Sequence, residues 1–261
     1  MDEPVRLEQF ENIALVTLNR PKAYNSLNLE MLQSFSGILT KVALDPEVVG
    51  VIIAGEGKAF CAGGDLRWIN ACGENYAAAL HELVACFHQG ILEICHMPKP
   101  VIAAIKGIAA GGGFSMAIAC DFRIMESSSI LKQAYTSSGL SMDGGGSFRL
   151  PRIVGLARAM EIAVFDMPID SKRAYSWGLV TEVVEDGQGI KRAVQMVKEM
   201  KKMSLSSFAA SKKLITESFN TTLEAQLEKE RELISWCGDQ PDGREGIAAF
   251  LDKREPVFSK D

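Results

Sequence analysis

Three consecutive glycines, Gly111 to Gly113, most constrain what this 261-residue chain can fold into. They lie in KGIAAGGGFSMAIACD, residues 106–121, between an apolar run and a segment of small and apolar residues. A residue without a Cβ allows close approach of another group, or a positive φ angle, at little cost. If the following segment is helical, these N–H groups lie at a helix N-terminus, which favours a developing negative charge. The sequence therefore predicts half of an oxyanion hole.

A second glycine pair, Gly63-Gly64, lies in KAFCAGGDL, residues 58–66, and follows an apolar β-branched run at 48–54. Taken alone, either glycine cluster is typical of a turn or a close-packing site. Two backbone N–H groups from two such loops, however, can stabilise one carbonyl oxygen as it becomes an enolate or a tetrahedral oxyanion. We therefore expect the two loops to meet.

Hydrophobic periodicity predicts alternating strands and helices, as a parallel sheet requires. Strands are predicted at residues 13–18, 48–54 and 101–105, and helices at 29–44, with Asn28 as the N-cap, and at 76–95. From about residue 171 the patterns become helical, at 171–177, 189–203, 206–220 and 222–237. The sequence predicts an α/β fold that is rich in strands first and helical at its C-terminal end.

Charge and composition argue against several classes of protein. Asp and Glu number 33 against 28 Lys and Arg, a net charge of -5, so no basic field attracts nucleic acid or an anionic membrane. No signal peptide is evident at the start, and no apolar run approaches the roughly 18 residues that span a membrane. The six cysteines form no C-x-x-C pair, which predicts reduced thiols in a cytoplasmic protein. His81 and His96 lack partners at metal-ligand spacing, so we expect no metal site.

Six blocks, in this order, resemble the enoyl-CoA hydratase/isomerase family, also called the crotonase family. Together they cover nearly the whole chain. The blocks are NRPKAYNSL (19–27), AFCAGGDL (59–66), PKPVIAAIKGIAAGGG (98–113), RLPRIVG (149–155), AYSWGLV (174–180) and REGIAAFLDK (244–253). The resemblance implies an α/β fold. Its core, residues 1–200, would be a crotonase-like spiral of ββα units that binds acyl-CoA. It also implies a helical region at 201–261 that forms homotrimers, often paired into hexamers.

The resemblance also implies an acyl-CoA site. The thioester oxygen would accept from the backbone N–H groups of Gly64 and Gly112. The substrate carries the coenzyme A, so no separate cofactor is implied. By motif position, the coenzyme A contacts map onto Lys22, Ala23, Tyr24, Ala62, Asp65 and Leu66, with Phe250 and Lys253 completing the site of a neighbouring subunit.

The two glutamates of the family's hydratases are absent. Their positions correspond to Ser115 and Tyr135. Neither hydroxyl is a competent base at neutral pH without an activating partner, because the ordinary pKa of tyrosine is about 10 and that of serine is higher. Standard two-glutamate hydration is therefore not expected. Ser115 could instead pack under the glycine turn, and Tyr135 could be a pocket wall, a hydrogen-bond donor or a core residue.

Asp143, in the segment GLSMDGGGS at 139–147, is the remaining acid/base candidate, although an Asp before glycines is also a common turn or N-cap residue. Two branches of the family that lack one or both glutamates have a carboxylate here: phenylacetate-pathway-type isomerases and 4-chlorobenzoyl-CoA dehalogenases. An isomerase needs only one base, which carries a proton from the α-carbon to the γ-carbon.

Three alternatives to the isomerase remain open. Hydratase or hydrolase chemistry could use Asp143, and a dehalogenase would use Asp143 as nucleophile with His88 activating water. His88 matches the dehalogenase histidine by its offset from Pro100, whereas Tyr135 stands where that enzyme has tryptophan. The pattern favours a packed His88, or a coenzyme A contact, over this catalytic role. Finally, the chain could be a non-catalytic binder of CoA esters.

The residues between Arg67 and Leu83 are expected to shape the acyl pocket. Many of them are small, which hints at room for a bulky or long acyl chain.

Overall fold

Nine strands form two sheets in the computed structural model, which describes residues 3–258. The larger sheet has the order β1-β2-β3-β4-β6-β9, in which β1 and β2 pair antiparallel and each later pair is parallel. The smaller sheet has the order β5-β7-β8. The strands are β1 (Val5–Phe10), β2 (Ile13–Leu18), β3 (Gly50–Gly55), β4 (Val101–Ile105), β5 (Ile108–Ala110), β6 (Phe122–Glu126), β7 (Ile130–Lys132), β8 (Ile169–Asp170) and β9 (Glu182–Val184).

Eleven α-helices surround these sheets within the described residues. Several begin at a side-chain cap; the predicted Asn28 cap is confirmed, since its Oδ1 accepts from the Met31 N–H at 3.0 Å. The helices are α1 (Leu29–Leu44), α2 (Leu66–Ala71), α3 (Tyr76–His96), α4 (Gly112–Ala119), α5 (Gly146–Val154), α6 (Leu156–Phe165), α7 (Ser171–Ser176), α8 (Gly189–Met200), α9 (Leu205–Glu217), α10 (Leu223–Asp239) and α11 (Pro241–Asp252).

The core lies on both faces of the larger sheet. Every residue of β3 and β4 is buried. One face packs against α1 and α3, and the other packs against α8 through Ala193, Met196 and Val197. A parallel strand covered on both faces needs apolar residues on both, which is why these segments read as continuous apolar runs rather than alternating ones.

The chain repeats a strand, strand, helix unit. The first strands of three successive units, β3, β4 and β6, are neighbours in the larger sheet. The second strands stack in a separate layer, where Cys61 bridges Ala109 and Ala109 pairs with Leu131. This is the ββα arrangement that the resemblance implies, and the fold class expected from the sequence is confirmed.

Most predicted elements are confirmed, with small shifts at their ends. Helix α3 includes one more residue than predicted, and β3 begins two residues later than the apolar run. Helices α5 and α6 were missed because Pro151 and Gly155 interrupt their pattern. Strands β7 to β9, with three residues or fewer each, are too short for a period-2 signal.

Within residues 3–258, no helix is both long enough and apolar enough to span a lipid bilayer.

Candidate active site

The two glycine loops predicted to meet lie against each other. The Ala110 N–H donates to the Cys61 oxygen at 2.9 Å, which draws the loop before α4 alongside the loop after β3. A methyl group on Gly63 would lie 2.9 Å from the Ala110 oxygen and 3.2 Å from Gly112 N. Such contacts are too tight for an ordinary Cβ, so glycine at position 63 is needed for the close approach.

Gly64 and Gly112 line the same cavity. Gly112 is the first residue of α4, so its N–H has no partner inside the helix. Among residues 3–258, neither N–H group donates a hydrogen bond to another group of the chain. Two unpaired donors near the N-terminus of an eight-residue helix can stabilise an oxyanion.

The cavity beside these donors has a volume of about 140 Å³. Helix α3 supplies one wall, the glycine loops another, and the segment from Ala134 to Asp143 a third. Asp143 is the single carboxylate among the cavity's lining residues in the described chain. The lining residues are Leu27, Leu32, Ala62, Gly63, Gly64, Leu66, Ile69, Leu80, Leu83, Val84, Phe87, Gly111, Gly112, Ala134, Tyr135, Ser138, Leu140 and Asp143.

Three hydroxyl and carboxyl groups form a chain at one end of this cavity. The Tyr135 hydroxyl donates to Asp143 Oδ1. The Ser115 Oγ lies 3.0 Å from the Tyr135 oxygen. The Tyr135 hydroxyl has one hydrogen and uses it in the bond to Asp143. The Ser115 hydroxyl therefore donates to the Tyr135 oxygen. Ser115 itself is fully buried, so it supports Tyr135 and does not reach the cavity.

Burial shifts the pKa values of Tyr135 and Asp143 in this hydrogen-bonded group. It raises the pKa of Tyr135 far above its ordinary value, and the neighbouring Asp143 charge adds to the effect. The phenol therefore stays protonated and remains a donor. Burial also raises the pKa of Asp143, against the opposing effects of the Tyr135 hydrogen bond and the nearby His88 side chain. A carboxylate with a raised pKa is a stronger base than an ordinary aspartate.

His88 is exposed on α3 and contacts the turn that follows Asp143. Its Nε2 accepts a hydrogen bond from the Gly144 N–H at 3.2 Å. This nitrogen is therefore occupied as an acceptor of a backbone bond. His88 does not line the cavity. Its observed contact is to the backbone next to Asp143, which the sequence did not indicate.

A second, more open cavity of about 660 Å³ adjoins the first, and the two share Ala62, Gly64 and Leu66. The six residues predicted from one chain to contact coenzyme A, namely Lys22, Ala23, Tyr24, Ala62, Asp65 and Leu66, all line this cavity. Arg20 and Arg67 line it as well, and they add positive charge beside Lys22. Phe250 and Lys253 line neither cavity of this chain; Phe250 is 83% exposed near the end of α11.

Asn25 holds the open cavity's rim in place, and sequence reasoning assigned it no role. Its side chain is fully buried, and its Nδ2 donates to the Ala59 oxygen at 2.8 Å and the Glu56 oxygen at 3.0 Å. Its Oδ1 accepts from the Arg20 N–H at 2.9 Å. The backbone has a φ of 57°, which Asn tolerates better than most residues. The sequence signal available for this role was the position of Asn25 after a short polar loop.

The small residues between Arg67 and Leu83 lie outside the enclosed cavity. Residues 70–78 are exposed, and the members of the segment that line the cavity are Ile69, Leu80 and Leu83. The small side chains of this segment are exposed, whereas larger ones line the cavity, so the room for a bulky or long acyl chain stays a prediction. Within residues 3–258, no cluster of three His, Cys, Asp or Glu side chains is arranged to hold a metal.

The chain is similar to known proteins in both sequence and structure. Residues 8–261 match the family described as enoyl-CoA hydratase/isomerase. The chain is 34% identical to the 1,2-epoxyphenylacetyl-CoA isomerase of Escherichia coli K12 over 95% of each chain. It is 36% identical to a probable enoyl-CoA hydratase of Rhodobacter capsulatus, over 98% of this chain and 97% of the relative. The crystal structure of an enoyl-CoA hydratase from Polaromonas sp. JS666 superposes with a TM-score of 0.92 at 35% identity, covering 98% of this chain and 99% of that one.

Proposed function

Since this chain belongs to the enoyl-CoA hydratase/isomerase family, whose members act on acyl-CoA thioesters, we propose that it is an isomerase that shifts the double bond of an enoyl-CoA. The observation that carries the proposal is the single carboxylate, Asp143, in a cavity that also contains two unpaired N–H donors. One base is sufficient for a proton shuttle, whereas hydration by the family's two-glutamate route needs carboxylates where this chain has Ser115 and Tyr135.

In the proposed reaction, Asp143 takes a proton from the α-carbon of a 3-enoyl thioester. The electron pair left on that carbon delocalises, and negative charge develops on the thioester oxygen. The N–H groups of Gly64 and Gly112 stabilise this dienolate oxygen. Asp143 then returns its proton to the γ-carbon, the double bond moves into conjugation with the thioester, and the carboxylate is regenerated. No atom is gained or lost.

Tyr135 acts as a positioning residue in this scheme. Its raised pKa keeps it protonated, so its hydroxyl holds one oxygen of Asp143 throughout the cycle. No hydrogen bond within residues 3–258 engages the other oxygen, Oδ2, which is the one we assign to the substrate. Ser115 supports the phenol from behind at 3.0 Å.

The proposed substrate brings its own coenzyme A, so the scheme uses no separate cofactor. We assign the nucleotide portion to the open cavity, where Lys22 and Arg67 offer charge to phosphates, and the acyl portion to the enclosed one. The two cavities meet at Gly64, so a thioester at their junction lies beside an oxyanion donor.

We also propose that the chain forms a homotrimer or a hexamer of paired trimers. Large apolar side chains on α6 and α11 are exposed in the single chain, including Leu156 (71%), Phe165 (70%) and Leu251 (73%). Such surfaces mark contact sites. Phe250 and Lys253 would then complete the coenzyme A site of a neighbour. Light scattering measures the mass, and a monomer at working concentration would contradict this assembly.

The compartment we propose is the cytoplasm, where the six free cysteines would stay reduced.

Hydration is the second candidate, because the relative at 36% identity is named a probable enoyl-CoA hydratase. It would require Asp143 to serve as base for water and as acid for the α-carbon. The two reactions differ in mass: in heavy water, hydration adds D₂O, whereas isomerisation only exchanges hydrogen for deuterium.

The test is mass spectrometry of 3-enoyl and aromatic acyl-CoAs incubated with the protein in heavy water. We expect deuterium at the α- or γ-carbon with wild type and with the exposed control Asp252→Asn, and its loss with Asp143→Asn. Exchange that survives Asp143→Asn would overturn the assignment of the base. A D₂O adduct would favour hydration, and free coenzyme A would favour hydrolysis. Tight binding of CoA esters without any exchange would indicate a non-catalytic binder.

A further inference from the structure

The enclosed cavity limits the acyl group by size. We propose that it selects a compact, wholly apolar acyl group of about six to eight carbons, roughly one six-membered ring beyond the thioester, and excludes long fatty acyl chains. This inference rests on the proposed function, since it assumes that an acyl-CoA enters the cavity from the glycine loops.

The volume is the first step. The cavity measures about 140 Å³. An apolar cavity of roughly 150 Å³ in another protein holds one benzene molecule, which gives a scale for what fits here. A chain of 12 or more carbons needs at least twice that space or a second opening.

The far wall is one face of helix α3, and two of its residues are packed into the core. Leu80, Leu83, Val84 and Phe87 follow the i, i+3, i+4, i+7 spacing of one face of α3. Leu83 is 4% exposed and Phe87 is 2% exposed. Both belong to the main hydrophobic cluster, so neither can move aside without disturbing the core.

The chemistry of the wall is the second step. Among the lining residues of the described chain, the polar side chains are Tyr135, Ser138 and Asp143. Tyr135 and Asp143 are bonded to each other at the reacting end. Leu27, Leu32 and the α3 face supply only carbon elsewhere. A charged or hydroxylated group at the distal end of the acyl chain would be buried without a partner, which is costly.

Saturated acyl-CoAs serve as unreactive probes of this cavity. Isothermal titration with coenzyme A alone and with butanoyl-, hexanoyl-, octanoyl-, phenylacetyl-, dodecanoyl- and palmitoyl-CoA measures the contribution of each acyl group. We expect affinity to rise by roughly fourfold per methylene up to about six to eight carbons. Phenylacetyl-CoA should match hexanoyl-CoA within about threefold. Dodecanoyl- and palmitoyl-CoA should bind at least about tenfold more weakly than hexanoyl-CoA.

Failure of the size limit and failure of the proposed function give different results. Affinity that continues to rise through palmitoyl-CoA overturns the size limit and leaves the acyl-CoA function intact. Equal, weak binding of every ester and of coenzyme A itself overturns both, because no acyl group then enters the cavity. Tight binding of a probe with a distal carboxylate, such as adipoyl-CoA, overturns the apolar requirement alone.

Variants of the α3 wall test the same point. Leu80 is only partly buried, so Leu80→Ala should fold and remove three carbons from the wall. We expect the optimum chain to lengthen by about two to three carbons. Val84→Phe fills the cavity and should shorten the optimum. Leu92→Ala, on an exposed position of the same helix, is the matched control and should leave the optimum unchanged. An optimum that stays fixed in both wall variants overturns the assignment of this wall.

Discussion

At the scale of single residues, opposing influences set the pKa of Asp143. Burial favours its protonated form, while the Tyr135 hydrogen bond and the nearby His88 side chain favour the carboxylate. The net result is a raised pKa. Burial therefore makes the carboxylate a stronger base than that of an ordinary aspartate.

The acid limb of the pH profile follows from this balance. The proposed base works only when ionised, so log(kcat/KM) should fall as pH drops through the raised pKa of Asp143, above the ordinary 3.8. Tyr135→Phe removes a hydrogen bond that lowers that pKa, so the limb should move to higher pH. Tyr175→Phe, at an exposed position, is the control. A limb that moves to lower pH in Tyr135→Phe would contradict the assigned hydrogen bond.

Stability should respond to the same carboxyl. A group whose pKa is higher in the folded chain than in the unfolded chain stabilises the fold below the unfolded pKa, and that contribution is lost as pH rises through the folded pKa. Asp143→Asn carries no charge at any pH. Its advantage over wild type in the free energy of unfolding should therefore be near zero below about pH 4. The advantage should grow as pH rises through the raised pKa of Asp143 and then level off. Urea unfolding at several pH values measures it, and the opposite trend would show that the folded pKa is lowered.

Motif residues could be identified from the sequence, whereas residues that act through tertiary contacts could not. Gly64 and Gly112 were assigned as oxyanion donors from the family resemblance, and the absence of a side chain at both lets a ligand approach their N–H groups closely. His88 was considered as a base, a packed residue or a coenzyme A contact, but its bond to the Gly144 N–H depends on how α3 crosses the 143–146 turn. Asn25 likewise gains its role from carbonyls more than 30 residues away. Periodicity carries no information on such contacts.

At the scale of elements, the glycine turn before α5 positions Asp143 against α3 and α4. Gly144 and Gly145 have φ values of 58° and 73°, so both occupy the left-handed region. Their surroundings differ. A methyl group on Gly144 would lie 2.4 Å from Phe87 Cε1 and 2.9 Å from Ser115 Cβ, whereas one on Gly145 would meet nothing closer than 3.8 Å. The turn therefore fills the space around Ser115, which leaves no room there for a longer side chain.

This difference gives a matched pair of variants. Gly144→Ala and Gly145→Ala share the cost of a positive φ, about 1–2 kcal/mol. Gly144→Ala must in addition displace Phe87 or the turn, so kcat should fall at least about tenfold further than in Gly145→Ala. Steady-state kinetics of both variants, with thermal unfolding of each, checks this. Equal kcat values would show that the turn does not set the position of Asp143.

The cavity beside Gly64 and Gly112 illustrates what a one-dimensional pattern cannot supply. Its lining comes from α1, α2, α3, the two glycine loops and the segment before α5, which span residues 27–143. The strand and helix order could be predicted because each element has its own periodicity. Cavity volume depends instead on how those elements pack. The small residues at 70–78 are exposed, which their composition alone could not indicate.

At the scale of the whole molecule, one buried ion pair joins the C-terminal helices to the core. The Lys212 Nζ on α9 lies 2.8 Å from Asp121 Oδ2, with 6% and 16% of the two side chains exposed. The same Nζ donates to the Ile94 oxygen at 2.9 Å and the Lys99 oxygen at 3.2 Å. Asp121 also accepts from the Val101 N–H at 2.8 Å. The end of α3, the start of β4 and α9 are thus held at one point.

Removing this lysine should loosen the C-terminal region. Lys212→Met leaves a buried aspartate without its cation and two carbonyls without a donor, which should lower the free energy of unfolding by about 3–5 kcal/mol. Lys213→Met, at the exposed neighbouring position, should change it by no more than about 0.5 kcal/mol. The double variant Lys212→Met/Asp121→Asn should recover part of the loss, because it removes the uncompensated charge. Urea unfolding gives the energies, and hydrogen exchange should show faster opening of α9 in Lys212→Met alone. If the two single variants unfold alike, α9 is held by its apolar contacts, and the ion pair contributes little to joining the two parts of the molecule.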